Sequence, residues 1–139
     1  MASFNKFNSF VETLAEKVHN LQSDVLKVML SNTAPSATNA VKTDITEITA
    51  GNGYTAGGAQ ATQVSSAQTT GTYKLVLNDV TFTAAGGSLA TFRYAVLYND
   101  TATNDELIGW WDYGSAVTIT NGNSFMVDFD GTNGVLTIA

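Results

Sequence analysis

The chain contains no cysteine and a single histidine among its 139 residues. Without cysteine it can form no disulfide, no thiolate nucleophile and no Cys-ligated metal site. His19 has no second histidine with which to form a metal-binding pair, and no Ser-His-Asp arrangement can be argued around it. We therefore expect a protein that is not an enzyme, with no catalytic residues, no cofactor and no bound metal.

Charged residues are also scarce, at 13% of the chain against about 25% in typical soluble domains. Six Lys and Arg face twelve Asp and Glu, which gives a net charge of −6, and the basic residues are scattered along the chain. Nucleic acids and acidic lipid surfaces are both bound through clustered cations. We therefore expect neither nucleic acid nor membrane as a direct partner. The abundant neutral polar residues suit strands, turns and a protein packed against neighbours.

Long apolar runs are absent as well, and we expect no secretory leader. No stretch of about 18 apolar residues could form a transmembrane helix. The opening MASFNKFNSF lacks a basic segment followed by a continuous apolar run, so it does not read as a signal peptide. These patterns predict a chain made and folded in the cytoplasm, as one domain spanning residues 1–139.

The first segment, residues 1–23, has the spacing of an amphipathic helix. Apolar side chains recur at steps of three and four, which places them on one stripe. They are Phe4, Phe7, Val11, Leu14, Val18 and Leu21. The stripe is too short for a coiled-coil seam, so we expect the helix either to lie on its own sheet or to dock on a neighbouring subunit.

Residues 24–62 are interpreted as a strand followed by a glycine-rich arm or loop. Val25 to Leu30 is a nearly continuous apolar run typical of a buried strand. Gly51, Gly53 and Ala56 then satisfy the G-x-G-x-x-G/A spacing, but the sequence after them cannot sustain the helix that a dinucleotide site needs. The loop is better explained by the backbone freedom of glycine, with Tyr54 as an aromatic anchor on a second sheet or on a neighbour.

Residues 63–139 alternate between apolar and polar positions, in short runs separated by turn signals. Strands at roughly ten-residue spacing are typical of an antiparallel sandwich or barrel. The segment TNGN between AVTIT and SFMVDF is a hairpin signal. The predicted fold is mainly β, an antiparallel β-sandwich or jelly-roll-like barrel with one N-terminal amphipathic helix.

Acidic residues near the C-terminus are a weak indication of a metal-binding site. In DFDGTNG, Asp128, Asp130 and Asn133 surround two turn-forming glycines. Calcium could use such oxygens, but Asp-Gly and Asn-Gly form β-turns without any ion. A carboxylate pair for glycoside hydrolysis, drawn from Asp112, Asp128 and Asp130, is equally unspecific. We expect a plain turn here.

Two adjacent tryptophans, Trp110 and Trp111, lie in a predicted strand and must point to opposite faces. One can join the core, while the other is either exposed as a protein-interface anchor or buried under a second layer. The expected interface residues are accordingly Phe4, Phe7, Val11, Tyr54, Trp110 and Trp111.

Three blocks of the sequence resemble a family of small virion proteins of tailed bacteriophages. They are LKVMLSNTAPSATNAVKTDITEITAGNGYTAGG, DVTFTAAGGSLATFRYAVLYNDTATNDELIGWWDYGS and FMVDFDGTNGVLTIA, which together cover nearly the whole chain. The resemblance implies a virion structural protein at the capsid surface, assembled in the host cytoplasm. It implies a capsid decoration or cement protein whose partner is the major capsid protein, and it carries over no catalytic residue.

Other functions remain open at this level. We expect a homo-oligomer on the outer capsid, whose acidic balance keeps it away from packaged DNA. A tail or head–tail joining protein is the alternative within the structural class. A carbohydrate-binding adhesin is the alternative outside it, with Trp110, Trp111, Tyr113 and Tyr98 as a stacking platform near Asp112.

Overall fold

The structure, a computed structural model, describes residues 2–139. Strands dominate this part of the chain, together with one short α-helix and one 3₁₀ turn (Lys42–Asp44). In chain order the elements are β1 (Asn5–Lys6), α1 (Phe10–Ala15), β2 (Leu26–Ser31), β3 (Ala59–Gln60), β4 (Gln63–Thr69), β5 (Thr72–Leu77), β6 (Val80–Thr83), β7 (Phe92–Asn99), β8 (Leu107–Val117), β9 (Ser124–Val127) and β10 (Leu136–Ile138).

The strands form three sheets, and the strand pairs within them are antiparallel. A five-stranded sheet has the order β1-β8-β7-β2-β3, a three-stranded sheet the order β10-β5-β4, and β6 pairs with β9 alone. The prediction of a mainly antiparallel β protein is confirmed. Residues 2–139 form no closed barrel, and none of their helices is long and apolar enough to cross a membrane.

The five-stranded sheet is covered by apolar residues on both faces. In β2, Leu26, Val28 and Leu30 belong to the main core, which joins residues of all three sheets. Met29, between them, points the other way into a smaller cluster with Phe7 and Tyr98. Burial on both faces explains why β2 is a nearly continuous apolar run, interrupted by Lys27, rather than an alternating one.

The predicted helix over residues 1–23 is wrong in extent, since α1 covers only Phe10–Ala15. Phe4 and Phe7 lie instead on an extended segment around β1, which pairs with the edge of β8. Their rings pack on Trp111 and Trp110 respectively. Phe4 and Phe7 can reach opposite faces of the sheet only if the backbone between them is extended. These tertiary contacts therefore override the helical spacing of the sequence. The helix also ends early, before Lys17 with its positive φ of 68°.

The hairpin predicted around TNGN is also wrong in its pairing. A turn does form at Asn121 and Gly122, but β9 pairs with β6 and not with the segment just before the turn. Val127 and Val80 face each other in that register, and both lie in the main core. Burial of these side chains decides the partner strand, which local turn chemistry cannot do.

The glycine-rich loop is a compact turn that leads into β3. Gly51 and Tyr54 exchange backbone hydrogen bonds of 2.8 and 3.1 Å. Gly58, at φ +77°, passes so close to Val28 that a Cβ would collide with its carbonyl oxygen. A strand follows the loop where a dinucleotide site would require a helix. At Gly53 and Gly58 the absence of a side chain therefore permits close backbone approach, whereas Gly51 has open space around it.

Candidate binding cleft

An apolar cleft of about 590 Å³ opens beside β7, β8 and β9. Its volume lies within the range of ligand-binding pockets, about 300–1,000 Å³. It is lined by Ala2, Phe4, Phe92, Arg93, Tyr94, Ala95, Trp111, Tyr113, Phe125, Met126, Val127, Asp128, Phe129, Asp130, Gly134 and Val135. Residues from the N-terminal segment, three strands and the loop before β10 thus meet at one place.

One wall of the cleft runs along the unpaired edge of β9. The residues from Phe125 to Asp130 all line the cleft, although alternate side chains of a strand point to opposite faces. A cleft that contacts both sets must follow the strand edge. β9 pairs with β6 on its other side and has no second strand partner within residues 2–139.

The backbone of Met126 faces this free edge. The N–H of Ala84 donates to the carbonyl of Asn123 at 2.9 Å, which makes these two a hydrogen-bonded pair. Hydrogen-bonded and non-hydrogen-bonded pairs alternate along an antiparallel ladder. Counting on from that pair, Thr83–Ser124 is the first step, Phe82–Phe125 the second and Thr81–Met126 the third. The third step is a non-hydrogen-bonded pair. The N–H and C=O of Met126 therefore point away from β6, towards the cleft.

Aromatic rings form much of the remaining surface. Trp111 lies between Phe4 and Phe129, with ring centroids at 5.3 and 5.4 Å. Phe125 meets Phe92 and Tyr113 edge to face, at 4.9 and 5.4 Å. Such tilted and edge-to-face pairs are favourable arrangements of aromatic rings. The cleft surface is consequently pre-formed by packed side chains.

Among residues 2–139, the one basic side chain that lines the cleft is neutralised by a neighbour. Arg93 donates to both carboxylate oxygens of Asp112, at 2.7 and 2.9 Å. These bonds, with a further one from the N–H of Gly114, hold the pKa of Asp112 below its ordinary value, and the same pair raises the pKa of Arg93. The guanidinium also lies 5.4 Å from the ring centroid of Tyr94, within cation–π distance.

Two further carboxylates lie at the cleft. Asp130 accepts hydrogen bonds from the N–H groups of Thr132 and Asn133 and from the Asn133 side chain, which lower its pKa. Both carboxylate oxygens of Asp130 thus accept hydrogen bonds within the turn. Asp128 is exposed and takes part in neither of the ion pairs of residues 2–139, which join Lys27 to Asp100 and Arg93 to Asp112.

The turn interpretation of DFDGTNG is supported by this geometry. Asp130 closes the turn through its own loop, where its Oδ1 accepts from the N–H groups of Thr132 and Asn133. Across residues 2–139, no three His, Cys, Asp or Glu side chains are grouped closely enough to hold a metal ion.

His19 is buried elsewhere and has a structural role. The amide oxygen of Asn99 accepts from the N–H of Thr101, so its amide nitrogen must be the group that donates to His19 Nδ1, at 3.0 Å. The ring proton then lies on Nε2, 2.9 Å from the hydroxyl of Thr13. Burial lowers the pKa of His19, and the charges of Glu106 and Asp24 offset this only in part.

Some of the expected interface residues lie at the cleft or on the surface, and others are buried in the chain. Phe4 and Trp111 line the cleft, and Val11 is 55% exposed on α1. Phe7 is fully buried in its own chain, where it covers the ring of Trp110. Trp110 is half-buried against the second apolar cluster and lies on the face of the sheet opposite Trp111.

Tyr54, expected to anchor on a second sheet or on a neighbour, packs inside its own chain beside Phe82 of β6, with ring centroids 5.7 Å apart. Its ring is only 3% exposed, and its hydroxyl donates to Glu47 at 2.7 Å while accepting from the N–H of Leu30 at 3.1 Å. Burial raises the pKa of this hydroxyl well above its ordinary value.

The carbohydrate-stacking platform predicted from four aromatic residues is not assembled. Tyr98 is fully buried and donates to the carbonyl of Gly57 at 2.6 Å. Trp110 and Trp111 face opposite sides of the sheet. Of the four, only Trp111 and Tyr113 line the cleft.

Several cleft residues were missed by sequence reasoning, above all Phe92, Phe125, Met126 and Phe129. The three phenylalanines lie at positions of alternating patterns that are typical of ordinary core residues. A usable signal lay in SFMVDF, where Met126 is apolar at a position that alternation assigns to the outer face. An apolar residue at such a position is a candidate for contact with a partner.

In comparisons with protein-family models, curated proteins and solved structures, nothing matches this chain. The resemblance to phage virion proteins therefore stays a prediction, and the function has to be inferred from the residues themselves.

Proposed function

We propose that the protein is a bacteriophage virion structural protein that binds another protein through the aromatic cleft, as a capsid decoration or cement protein on the outer face of the major capsid lattice. The observation that carries the binding role is an apolar cleft beside a strand edge that has no partner strand within residues 2–139. Apolar surface and free backbone groups are features of a docking site. The virion assignment is supported by the resemblance of the three sequence blocks.

The proposal includes a β-sandwich architecture and a symmetric homo-oligomer. The sandwich is supported by a main core that takes side chains from all three sheets. The low charged fraction, 13%, supports a protein that buries much of its surface in contacts. The net charge of −6 favours the outside of a shell, away from packaged DNA.

The test is reconstitution on shells that lack this chain. Purified protein is mixed with such shells, binding is measured by co-sedimentation, and bare and decorated shells are then heated. We expect saturable binding and a higher disruption temperature for the decorated shells. An absence of binding rejects the assignment to the capsid, and equal disruption temperatures reject a bracing role.

Copy number separates the alternatives in the structural class. A decoration protein is present in hundreds of copies per virion, whereas a head–tail connector needs on the order of a dozen under closed-ring symmetry. A glycan array with the isolated protein tests the adhesin alternative, which specific binding above background would favour.

A further inference from the structure

We propose that the cleft binds an extended, apolar segment of the partner protein that carries a basic residue, and that this segment adds as a strand to the free edge of β9. The inference deepens the proposed function and rests on it for the identity of the partner. It names the conformation and the charge of what the cleft holds.

The extended conformation follows from the backbone of β9. The N–H and C=O of Met126 point away from β6, and no strand of residues 2–139 occupies that side. Peptides add to such edges through main-chain hydrogen bonds, which only an extended segment can form in register. β9 has four residues, Ser124–Val127, and at about 3.3 Å each they give an edge of roughly 13 Å, so the matching segment has at least four residues.

The apolar character follows from the surface beside that edge. Trp111, Phe125 and Phe129 are packed against other aromatic rings at the cleft. Met126 is 51% exposed although it is apolar. A bound segment with apolar side chains at alternate positions would cover this surface, because alternate side chains of a strand share one face.

The preference for a basic residue follows from the charges that surround the cleft. Arg93 is neutralised by Asp112 at 2.7 Å, and Lys74 approaches the Asp130 turn, where it donates to the carbonyl of Thr132 at 2.8 Å. Asp128 has no such partner among the ion pairs of the described chain. A Lys or Arg of the bound segment can pair with Asp128, whereas an acidic residue there would be repelled.

A second copy of the chain fits these requirements less well. The most exposed edge strand is β4, which carries Val64 at 60% exposure. β4 contains no charged residue, so it offers nothing to Asp128. The N-terminal segment is already paired with β8. We therefore assign the cleft to a different polypeptide.

The test is a titration of the isotopically labelled full chain, followed by amide NMR, with two capped hexapeptides. Both alternate valine and threonine, and they differ only in one central residue, lysine or glutamate. We expect the lysine peptide to shift the amides of Phe125–Phe129 and to bind roughly fivefold tighter than the glutamate peptide. Equal binding of the two peptides, or shifts confined to residues outside the cleft, would overturn the inference.

Two variants of the protein isolate the two requirements. Met126→Pro removes the edge N–H while leaving the ladder to β6, since that N–H does not point to β6, and it should abolish peptide binding. Met126→Ala keeps the N–H and should still bind. Asp128→Asn, at an exposed side chain that folding does not need, should reduce the preference for lysine to less than twofold or so. A preference unchanged in Asp128→Asn contradicts the charge assignment even if Met126→Pro fails to fold.

Co-sedimentation with shells separates this inference from the proposed function. If the wild-type chain and all three variants bind shells equally well, the strand-addition inference fails and the capsid proposal stands. If the lysine peptide binds as expected but the wild-type chain does not bind shells, the capsid proposal fails alone. Concentration-dependent self-association through the cleft, seen in the absence of peptide, would identify a second copy as the occupant and overturn the inference.

Discussion

Trp110 and Trp111 are consecutive in β8, yet their rings hold two different phenylalanines on opposite faces of one sheet. The ring of Trp110 lies 4.5 Å from that of Phe7, and the ring of Trp111 lies 5.3 Å from that of Phe4. The short strand β1 between these phenylalanines is thereby fixed to the edge of β8 from both sides. The N-terminal segment is thus part of the folded domain and also shapes one end of the cleft.

The first prediction concerns the energetic weight of this N-terminal segment. Phe7→Ala should destabilise the fold by about 3–5 kcal/mol, the range for a large aromatic side chain removed from a core, because Phe7 is 0% exposed. Val11→Ala is the matched control on α1, where the side chain is 55% exposed, and it should change the free energy of unfolding by less than about 0.5 kcal/mol. Urea denaturation measures both. Similar losses in the two variants would argue for the continuous helical stripe instead.

The second prediction tests the close backbone approach in the glycine loop. Gly58 has a φ of +77°, and a Cβ there would strike the carbonyl oxygen of Val28. Gly58→Ala should therefore cost more than about 2 kcal/mol of folding free energy. Gly131→Ala is the control, since a Cβ at Gly131 meets nothing within 4 Å. Thermal unfolding of both variants checks the difference, and a stable Gly58→Ala protein would mean that the loop packs more loosely than described.

The third prediction follows from the buried His19. Burial lowers its pKa in the folded state below the ordinary value of 6.5. The unfolded chain therefore binds more protons as the pH falls through about 6.5, and the stabilisation from neutral His19 is present above that pH and is lost below it. Protonated Nδ1 could also no longer accept the hydrogen bond from Asn99.

Unfolding free energies at pH 7.5 and 5.5, for the wild-type chain and for His19→Gln, provide the measurement. The wild-type chain should lose more stability on acidification than the variant, whose residue 19 does not titrate. Because His19 is the only histidine of the sequence, the difference between the two proteins isolates its contribution. If both proteins lose the same amount of unfolding free energy, groups other than His19 cause the pH dependence of stability in this range.

Patterns within single strands were predictable from the sequence, and contacts between distant strands were not. The sequence predicts a buried strand over Val25 to Leu30, and β2 covers Leu26–Ser31. This was predictable because burial on both faces leaves a nearly continuous apolar run. The spacing of Phe4 and Phe7 led to a wrong prediction. Residues three positions apart lie on the same face of a helix, but on opposite faces of an extended strand. Only the folded chain decides between these arrangements.

The cleft itself could not be predicted from the sequence. Trp111 of β8 meets Phe129, which lies in the loop after β9. Within residues 2–139, β9 has a free edge because it pairs with β6 alone. The local turn signal at Asn121 and Gly122 indicated another partner for β9. Strand pairing depends on which apolar faces meet in the core, and this information is spread over the whole chain.

The fourth prediction concerns the hydroxyl of Tyr54. Tyr54→Phe removes the acceptor for the N–H of Leu30 and the donor to Glu47. A buried backbone N–H left without a partner costs about 1–3 kcal/mol, so the variant should be destabilised by that amount. Tyr113→Phe, at a side chain that is 57% exposed, is the control and should unfold like the wild type. Equal stability of all three proteins would mean that water replaces the lost hydroxyl.

The last prediction places the docking surface on shells. Tyr113 is 57% exposed and lines the cleft, while Val64 is 60% exposed on β4 and is not among the cleft residues. Tyr113→Ala should weaken binding to shells by about tenfold, as expected for an aromatic residue at the centre of an interface, and Val64→Ala should leave it unchanged. Both residues are mostly exposed, so neither variant should unfold, which circular dichroism can verify. If Val64→Ala weakens binding and Tyr113→Ala does not, the docking surface lies on the β4–β5 hairpin, and the aromatic cleft has another role.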